Sequence, residues 1–271
     1  MSVFQIIKKS RISKFIPRPI KVLVSTIMQM LIYKNYDSSD YWRKRASCPG
    51  QNAVLWKNQE YNDFFRAEQI KILEPFINSL KPDSVILDIG CGIGIIASMI
   101  SKMRQDVTID AVDFEEMITN AIDRTVEQNI NFIASSAEDF IGNGYHYNLI
   151  ISSACFSMIR NIDNLKKSLE NSAKLLASSG TIIMIDPFHR WNYLARAKFN
   201  TKDVVKHLRP FGLYLYKKSG VLFWPSRVNL ANSNYSGTKL ETKYRRGEWF
   251  LKHLGQHFWA DYKVLIFKKS L

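Results

Sequence analysis

Cysteine is scarce in this 271-residue chain. Cys48, Cys91 and Cys155 stand far apart, with no C-x-x-C pair and no histidine beside them. That argues against a zinc site and a disulfide framework and suits a reducing, cytoplasmic setting. Long hydrophobic runs are missing as well. The apolar stretch at residues 22–32 is broken by Ser25, Thr26 and Gln29. It falls short of the roughly 18–20 residues needed to cross a bilayer and lacks a small-residue cleavage site. Neither a membrane span nor a secretory leader is expected, and no internal repeat is visible. The first 36 positions contain no acid at all, against seven Lys or Arg.

That last absence is part of a three-block charge pattern. Residues 1–36 carry +7, residues 37–186 carry −6, and residues 187–271 carry +13, which together give the net +14. An acidic centre between basic flanks suits an anionic partner, whether nucleic acid, a phosphate-bearing small molecule or a membrane surface. An ordinary soluble basic protein shows the same balance. In the first block Phe4, Ile6, Ile7, Ile12, Phe15 and Ile16 interleave with Lys8, Lys9, Arg11, Lys14, Arg18 and Lys21. Such a segment either lies in an anionic membrane interface, making peripheral contact, or is an arm packed on the domain.

A hydrophobic content of 46% is enough for a sizeable core. Short apolar runs alternate with helical patterns from residue 83 onward. Strands are predicted at 85–87, 107–112, 131–134, 147–152 and 181–185, and helices at 95–103, 115–128 and 165–176, the last closed by a Ser-Ser-Gly turn at Gly180. This alternation predicts an α/β fold with a doubly wound, mostly parallel sheet covered on both faces. Beyond Pro187 the pattern gives a helix at 202–208, strand-like runs at 213–216 and 221–224, a polar loop at 229–238, a helix at 241–254 and a final strand at 262–268. Helices at 20–33 and 64–80 precede the alternation. The chain thus divides into a basic arm and helical lid, 1–80, and an α/β domain, 81–271.

Glycine is spread thinly, 12 in the whole chain, yet Gly90, Gly92 and Gly94 fall within five residues, directly after the strand Val85-Ile86-Leu87 and Asp88. A strand-to-helix turn of this kind holds a nucleotide-like cofactor beyond the strand C-terminal ends. Gly92-x-Gly94-x-x-Ala97 formally fits the dinucleotide fingerprint, in which backbone amides cradle a pyrophosphate. Asp88 argues otherwise, because a carboxylate there would repel a pyrophosphate but would suit the ammonium of an amino-acid moiety, directly or through water. S-adenosylmethionine is the ligand this favours. A Cβ at Gly90 or Gly92 would occupy space such a cofactor needs. Asp113, at the tip of the next strand and 19 residues after Gly94, is placed to accept hydrogen bonds from both ribose hydroxyls.

Asp88-x-Gly90-x-Gly92-x-Gly94, Asp113 with Phe114, and Ser136-Ala137-Glu138 resemble the cofactor motifs of the class I S-adenosylmethionine-dependent methyltransferases, strongly over residues 81–186 and loosely elsewhere. The resemblance implies a Rossmann-like seven-stranded sheet with an antiparallel last strand and an N-terminal helical cap. Two positions depart from the family. Ser136 stands where an Asp usually meets the adenine amino group, leaving that contact to a hydroxyl or to the backbone near Ala137, and Asn148 stands where Asp is common. Ser152 and Ser153, at the end of the fourth strand, would line the reactive side. Residues 36–43 and 61–66 are similar to lids that close over the cofactor, with Tyr36, Tyr41 or Arg66 at its methionine end.

Methyl transfer needs an aligned nucleophile and, where required, a base, and no metal is expected. The Asn/Asp-Pro-Pro-Tyr run that orients target nitrogens in amino-group methyltransferases is absent after the fourth strand, where the chain reads Ser152-Ser153-Ala154-Cys155-Phe156. After the fifth, His189 is either a general base for a hydroxyl or a rim histidine bonded to backbone, and Arg190 could anchor a phosphate or carboxylate. The tail 249–269 resembles that of small-molecule O-methyltransferases. The reading is O-methylation of an anionic small molecule or glycan, such as a sugar or lipid-linked intermediate of surface polysaccharide biosynthesis, with no specific nucleic acid as partner. An RNA methyltransferase and a cofactor-binding but silent partner subunit are the alternatives.

Overall fold

The computed structural model describes residues 38–188 and 198–269. Its helices and strands, in chain order, are α1 Ser38–Arg45, α2 Gln59–Asn78, β1 Val85–Ile89, α3 Ile95–Met103, β2 Thr108–Asp113, α4 Glu115–Ile122, β3 Ile130–Ala134, β4 Tyr147–Ser153, α5 Ile162–Leu175, β5 Leu176–Asp186, α6 Thr201–Leu208, β6 Leu213–Phe223, α7 Trp224–Ala231, α8 Gly237–Leu254, α9 Gln256–Trp259 and β7 Ala260–Lys269. The strands form one sheet in the order β3-β2-β1-β4-β5-β7-β6. β1 pairs in parallel with β2 and β4, β2 with β3, and β4 with β5. β7 runs antiparallel to both β5 and β6, so six strands share a direction and the last is reversed. This is the Rossmann-like sheet expected from the sequence.

Alternation along the strands sends successive side chains to opposite faces. Ile86, Leu149, Ile151, Ile183 and Ile185 point to one face, where they pack with Phe65, Leu73 and Ile77 of α2, Ile96 and Ile100 of α3, and Leu240 and Tyr244 of α8. Leu87, Ile89, Ile150, Ile182, Met184, Leu265 and Phe267 point to the other, against Leu165 and Leu169 of α5 and Val204 and Leu208 of α6. α2 therefore shares one core with the sheet. It starts where the side chain of Asn58 accepts the Tyr61 N–H at 3.1 Å, a side-chain cap for an otherwise orphaned donor.

Several elements differ from their sequence reading. α4 stops at Ile122 rather than running to residue 128. The two runs at 213–216 and 221–224 are one strand, β6, with a register irregularity between Leu215 and Lys217. β5 extends back through the Ser-Ser-Gly segment to Leu176, because Tyr147 pairs with Leu176 and Leu149 with Thr181, accommodating the extra residues as an irregularity. The Asn-rich stretch begins inside a helix. Pro225 sits in the first turn of α7, where its missing N–H costs nothing, and Leu230 and Ala231 are buried beneath it. The expected helix at 20–33 and the basic segment 1–36 lie outside the described residues. Among the described residues no helix is long and apolar enough to cross a membrane.

Candidate active site

The C-terminal ends of β1, β2 and β4 and the loop after β3 open into a cavity of about 500 Å³, a size typical of cofactor pockets. Of the residues singled out in the sequence, Gly90, Gly92, Asp113, Phe114, Ser136, Ala137, Glu138 and Ser153 line it together. Asp88, Gly94 and Ser152 are not part of the lining. His189, with Arg190 and Tyr36, lies outside the described residues.

The glycine turn is shaped by backbone handedness. Gly90, Gly92 and Gly94 have φ of 75°, 58° and 75°, a region that other L-residues enter only at a cost. The N–H groups of Gly90 and Cys91 both donate to Val112 O, at 2.8 and 3.1 Å, which ties the turn to β2. The structure adds a second reason for the bare Cα atoms, besides the space a cofactor needs. A Cβ on Gly90 would sit 2.4 Å from Cys155 Cβ, and one on Gly92 2.5 Å from Val54 Cγ1. The protein's own walls, closing on the turn, therefore also demand glycine at 90 and 92.

Asp113 caps that arrangement. Its Oδ2 accepts the Gly92 N–H and its Oδ1 the Phe114 N–H, each at 2.7 Å, and each oxygen keeps a further lone pair. Burial pushes its pKa up to about 6 against the lowering effect of those two N–H groups. The Phe114 ring is covered by the Arg43 guanidinium at 4.5 Å, itself held by Glu116 through bonds of 3.1 and 2.8 Å. Residues 36–43, read as lid-like, supply Ser39 and Trp42 to the cavity, whereas Tyr41 is engaged by Arg45 at 2.9 Å.

Asp88 is 1% exposed, and neither carboxylate oxygen has a hydrogen-bond partner. Burial raises its pKa to about 7, against the attraction of Arg66 and with a further push from Asp113. Arg66, on α2, is lowered to about 10 by desolvation. Its Nη1 donates to Gln69 Oε1 at 3.0 Å, and Gln69 Nε2 donates to Ser153 Oγ at the cavity wall. α2 thereby links the buried Asp88 to the tip of β4.

The other wall is fixed by its own bonds. Ser136 Oγ donates to Asp139 at 2.8 Å, and Glu138 Oε1 accepts from Asn164 Nδ2 at 2.8 Å. Asp186, fully buried at the end of β5, accepts from Ser152 Oγ at 3.1 Å and from Ser157 N–H and Oγ at 3.0 and 2.7 Å. Ser152 therefore braces the loop after β4 and does not face the cavity. Asn148 sits at the far end of that strand, accepting the Val85 N–H at 2.9 Å. Val54, Met117 and Met158 to Asn161 also line the cavity. No motif marks them, since tertiary packing alone brings them in.

The model of the methyltransferase small domain family matches residues 72–214. The chain belongs to that family. It is a class I S-adenosylmethionine-dependent methyltransferase, an enzyme whose cofactor is S-adenosylmethionine. The methyltransferase is 27% identical over 192 residues to the ubiquinone biosynthesis O-methyltransferase of Rickettsia bellii (strain OSU 85-389), covering 65% of this chain and 74% of that one. It is 31% identical over 137 residues to malonyl-[acyl-carrier protein] O-methyltransferase 2 of Ilyobacter polytropus, 50% of this chain and 49% of the relative. A ribosomal RNA small subunit methyltransferase C from Vibrio parahaemolyticus is 22% identical over 138 residues, 49% and 40% of the two chains. Among solved structures, N-methyltransferase NodS from Bradyrhizobium japonicum WM9, in complex with S-adenosyl-L-homocysteine, superposes with a TM-score of 0.57 at 14% identity, covering 86% of this chain and 99% of that one. At that identity the likeness speaks for the fold.

Proposed function

We propose that this methyltransferase moves a methyl group from S-adenosylmethionine to an oxygen of an anionic small molecule, a sugar or a lipid-linked glycan such as those of surface polysaccharide biosynthesis. The observation that carries the cofactor placement is the pair of carboxylates flanking the glycine turn, one buried without any hydrogen-bond partner and one with spare lone pairs at the cavity. Asp88 has no donor of its own, so an ammonium or a water bound to one would satisfy it. Asp113, facing the cavity, would accept the ribose hydroxyls, and Phe114, Val112, Met117 and Ile159 offer apolar walls to the adenine. Ser136 gives its proton to Asp139, so its Oγ can meet the adenine amino group as an acceptor only, beside the backbone around Ala137.

S-adenosylmethionine, when bound, supplies a methyl group on a sulfonium centre. The chain's task is then to hold the acceptor in line with it and to keep water out. Ser153, locked by Gln69, and Ala154 and Cys155 form the wall at the end of β4. The absence there of a Pro-Pro-Tyr run supports an oxygen acceptor, as do the two O-methyltransferase relatives. The basic flanks support an acceptor that carries negative charge. His189 is the residue of the chain proposed as base.

Isothermal titration of the pure protein with S-adenosylmethionine, its demethylated product and a nicotinamide dinucleotide tests the cofactor reading. Heat with the dinucleotide alone overturns it. Incubation with labelled cofactor and a cell extract then reveals the acceptor class by the fraction that gains one methyl group. Label in RNA, with none in small molecules or glycans, establishes instead the runner-up, which the charge of +14 and the Vibrio relative favour.

A further inference from the structure

Where β6 runs into α7, a second concavity of about 920 Å³ lies between α7 and α8. Gly247 lets the helices approach at its floor, a Cβ there falling 3.0 Å from Ser226 Oγ and 3.3 Å from Phe223 Cβ. Lys239, Lys243 and Arg246 project from one side of α8 at i, i+4 and i+7, the spacing that keeps side chains on one face. Lys239 and Lys243 hold their ammonium groups 4.6 and 5.3 Å from the centre of the Tyr235 ring, and the Arg246 guanidinium lies 5.8 Å from that of Phe250. Among the described residues no carboxylate lines the groove. None of the three cations has an ion-pair partner among the described residues, whereas Arg245, on the neighbouring face, is paired with Glu241 at 2.7 Å. On the opposite wall the Ser226 and Ser233 hydroxyls donate to Phe223 O and Leu230 O at 3.3 and 2.9 Å, and Asn234, whose Oδ1 accepts from Lys57 Nζ at 3.2 Å, brings its amide N–H groups.

From this we infer that the groove between α7 and α8 binds the diphosphate of a small molecule. Three uncompensated positive charges on one wall repel one another, and an anion between them relieves that repulsion. They extend over roughly 10 Å of helix, more than a single phosphate can bridge, so two linked phosphoryl groups match the row better than one. The aromatic rings hold the cations in place and reduce the ordering cost of binding. In sheet order β6 is three strand spacings from β4, roughly 14 Å, so an anchored diphosphate leaves room for an extended acceptor to reach the methyl donor. The affinity of the groove for diphosphate stands by itself; its role as the acceptor's anchor rests on the reading of an anionic acceptor given above.

The test is calorimetric titration of the full chain with inorganic pyrophosphate, at low and at high salt, beside a titration with S-adenosylmethionine. The expected result is saturable pyrophosphate binding that weakens with salt and falls at least tenfold in the combined variant Lys239→Ala, Lys243→Ala, Arg246→Ala. Cofactor affinity and melting temperature stay unchanged in that variant. Lys239→Gln and Lys243→Gln singly give intermediate losses. Absent pyrophosphate binding, or binding untouched by the triple change, overturns the inference even if the cofactor binds. So does sedimentation with phosphatidylglycerol vesicles through the same three residues without pyrophosphate binding, which makes the face a lipid contact. Pyrophosphate binding without cofactor binding leaves the groove standing and sinks the methyl-transfer reading.

Discussion

Replacing Asp88 by Asn is expected to make the unliganded protein more stable while spoiling its cofactor site. The carboxyl of Asp88 is buried, unbonded, and raised from the usual 3.8 to about 7, which corresponds to roughly 4 kcal/mol of disfavoured ionisation. That figure already includes the attraction of Arg66. Because the folded-state pKa lies above the unfolded value, between the two the native state keeps a proton that the unfolded chain has released. Stability therefore falls as pH rises from about 4 to about 7 and stays low above that window. Asn has the same shape and never ionises, so it removes the penalty at pH 8 and changes little at pH 4. For a chain of this size a gain of 3–4 kcal/mol corresponds to an increase in Tm of roughly 6–10 °C. Melting curves followed by circular dichroism at pH 4, 6 and 8 without cofactor check this. A difference between the two proteins that does not grow with pH, or a variant that melts lower at pH 8, refutes the argument. The same variant should bind S-adenosylmethionine at least tenfold more weakly by calorimetry, a loss of about 1.4 kcal/mol.

Gly90→Ala combines a left-handed backbone with overlap against Cys155, and is expected to cost about 2–4 kcal/mol in chemical denaturation. Asp113→Asn sets an amide NH₂ against the Gly92 or the Phe114 N–H, and cofactor affinity measured by calorimetry should fall about tenfold or more with the far-ultraviolet dichroism unchanged. Leu73→Ala in α2 opens a hole in the core shared with the sheet, where Leu73 is 0% exposed. A loss of about 2–5 kcal/mol is expected, and a loss under 1 kcal/mol would mean that α2 is only loosely attached.

The parts of the fold that sequence made plain are those where one element carries its own pattern. Val85 to Ile89 and Tyr147 to Ser153 are apolar runs of strand length, and α5 carries an amphipathic period that its packing on Leu165 and Leu169 explains. The glycine turn and Asp113 were readable because their spacing is local to one strand-helix-strand unit. Positions whose role comes from distant chain were not. Val54 shapes the turn from nearly forty residues upstream, and Met158 to Asn161 reach the cavity from a loop that Asp186 holds through Ser157. α7 was obscured by Asn and Ser residues that read as loop, yet burial of Leu230 and Ala231 outweighs their weak preference. Asn148 read as a departure within the cofactor region, but it belongs to the opposite end of the strand.

The Asp186 carboxylate, gripping Ser152 and Ser157 together, means that the chamber's inner wall is finished before any visitor arrives. An incoming donor molecule meets a surface that has already surrendered its freedom, so little of its contact energy is consumed in setting that segment.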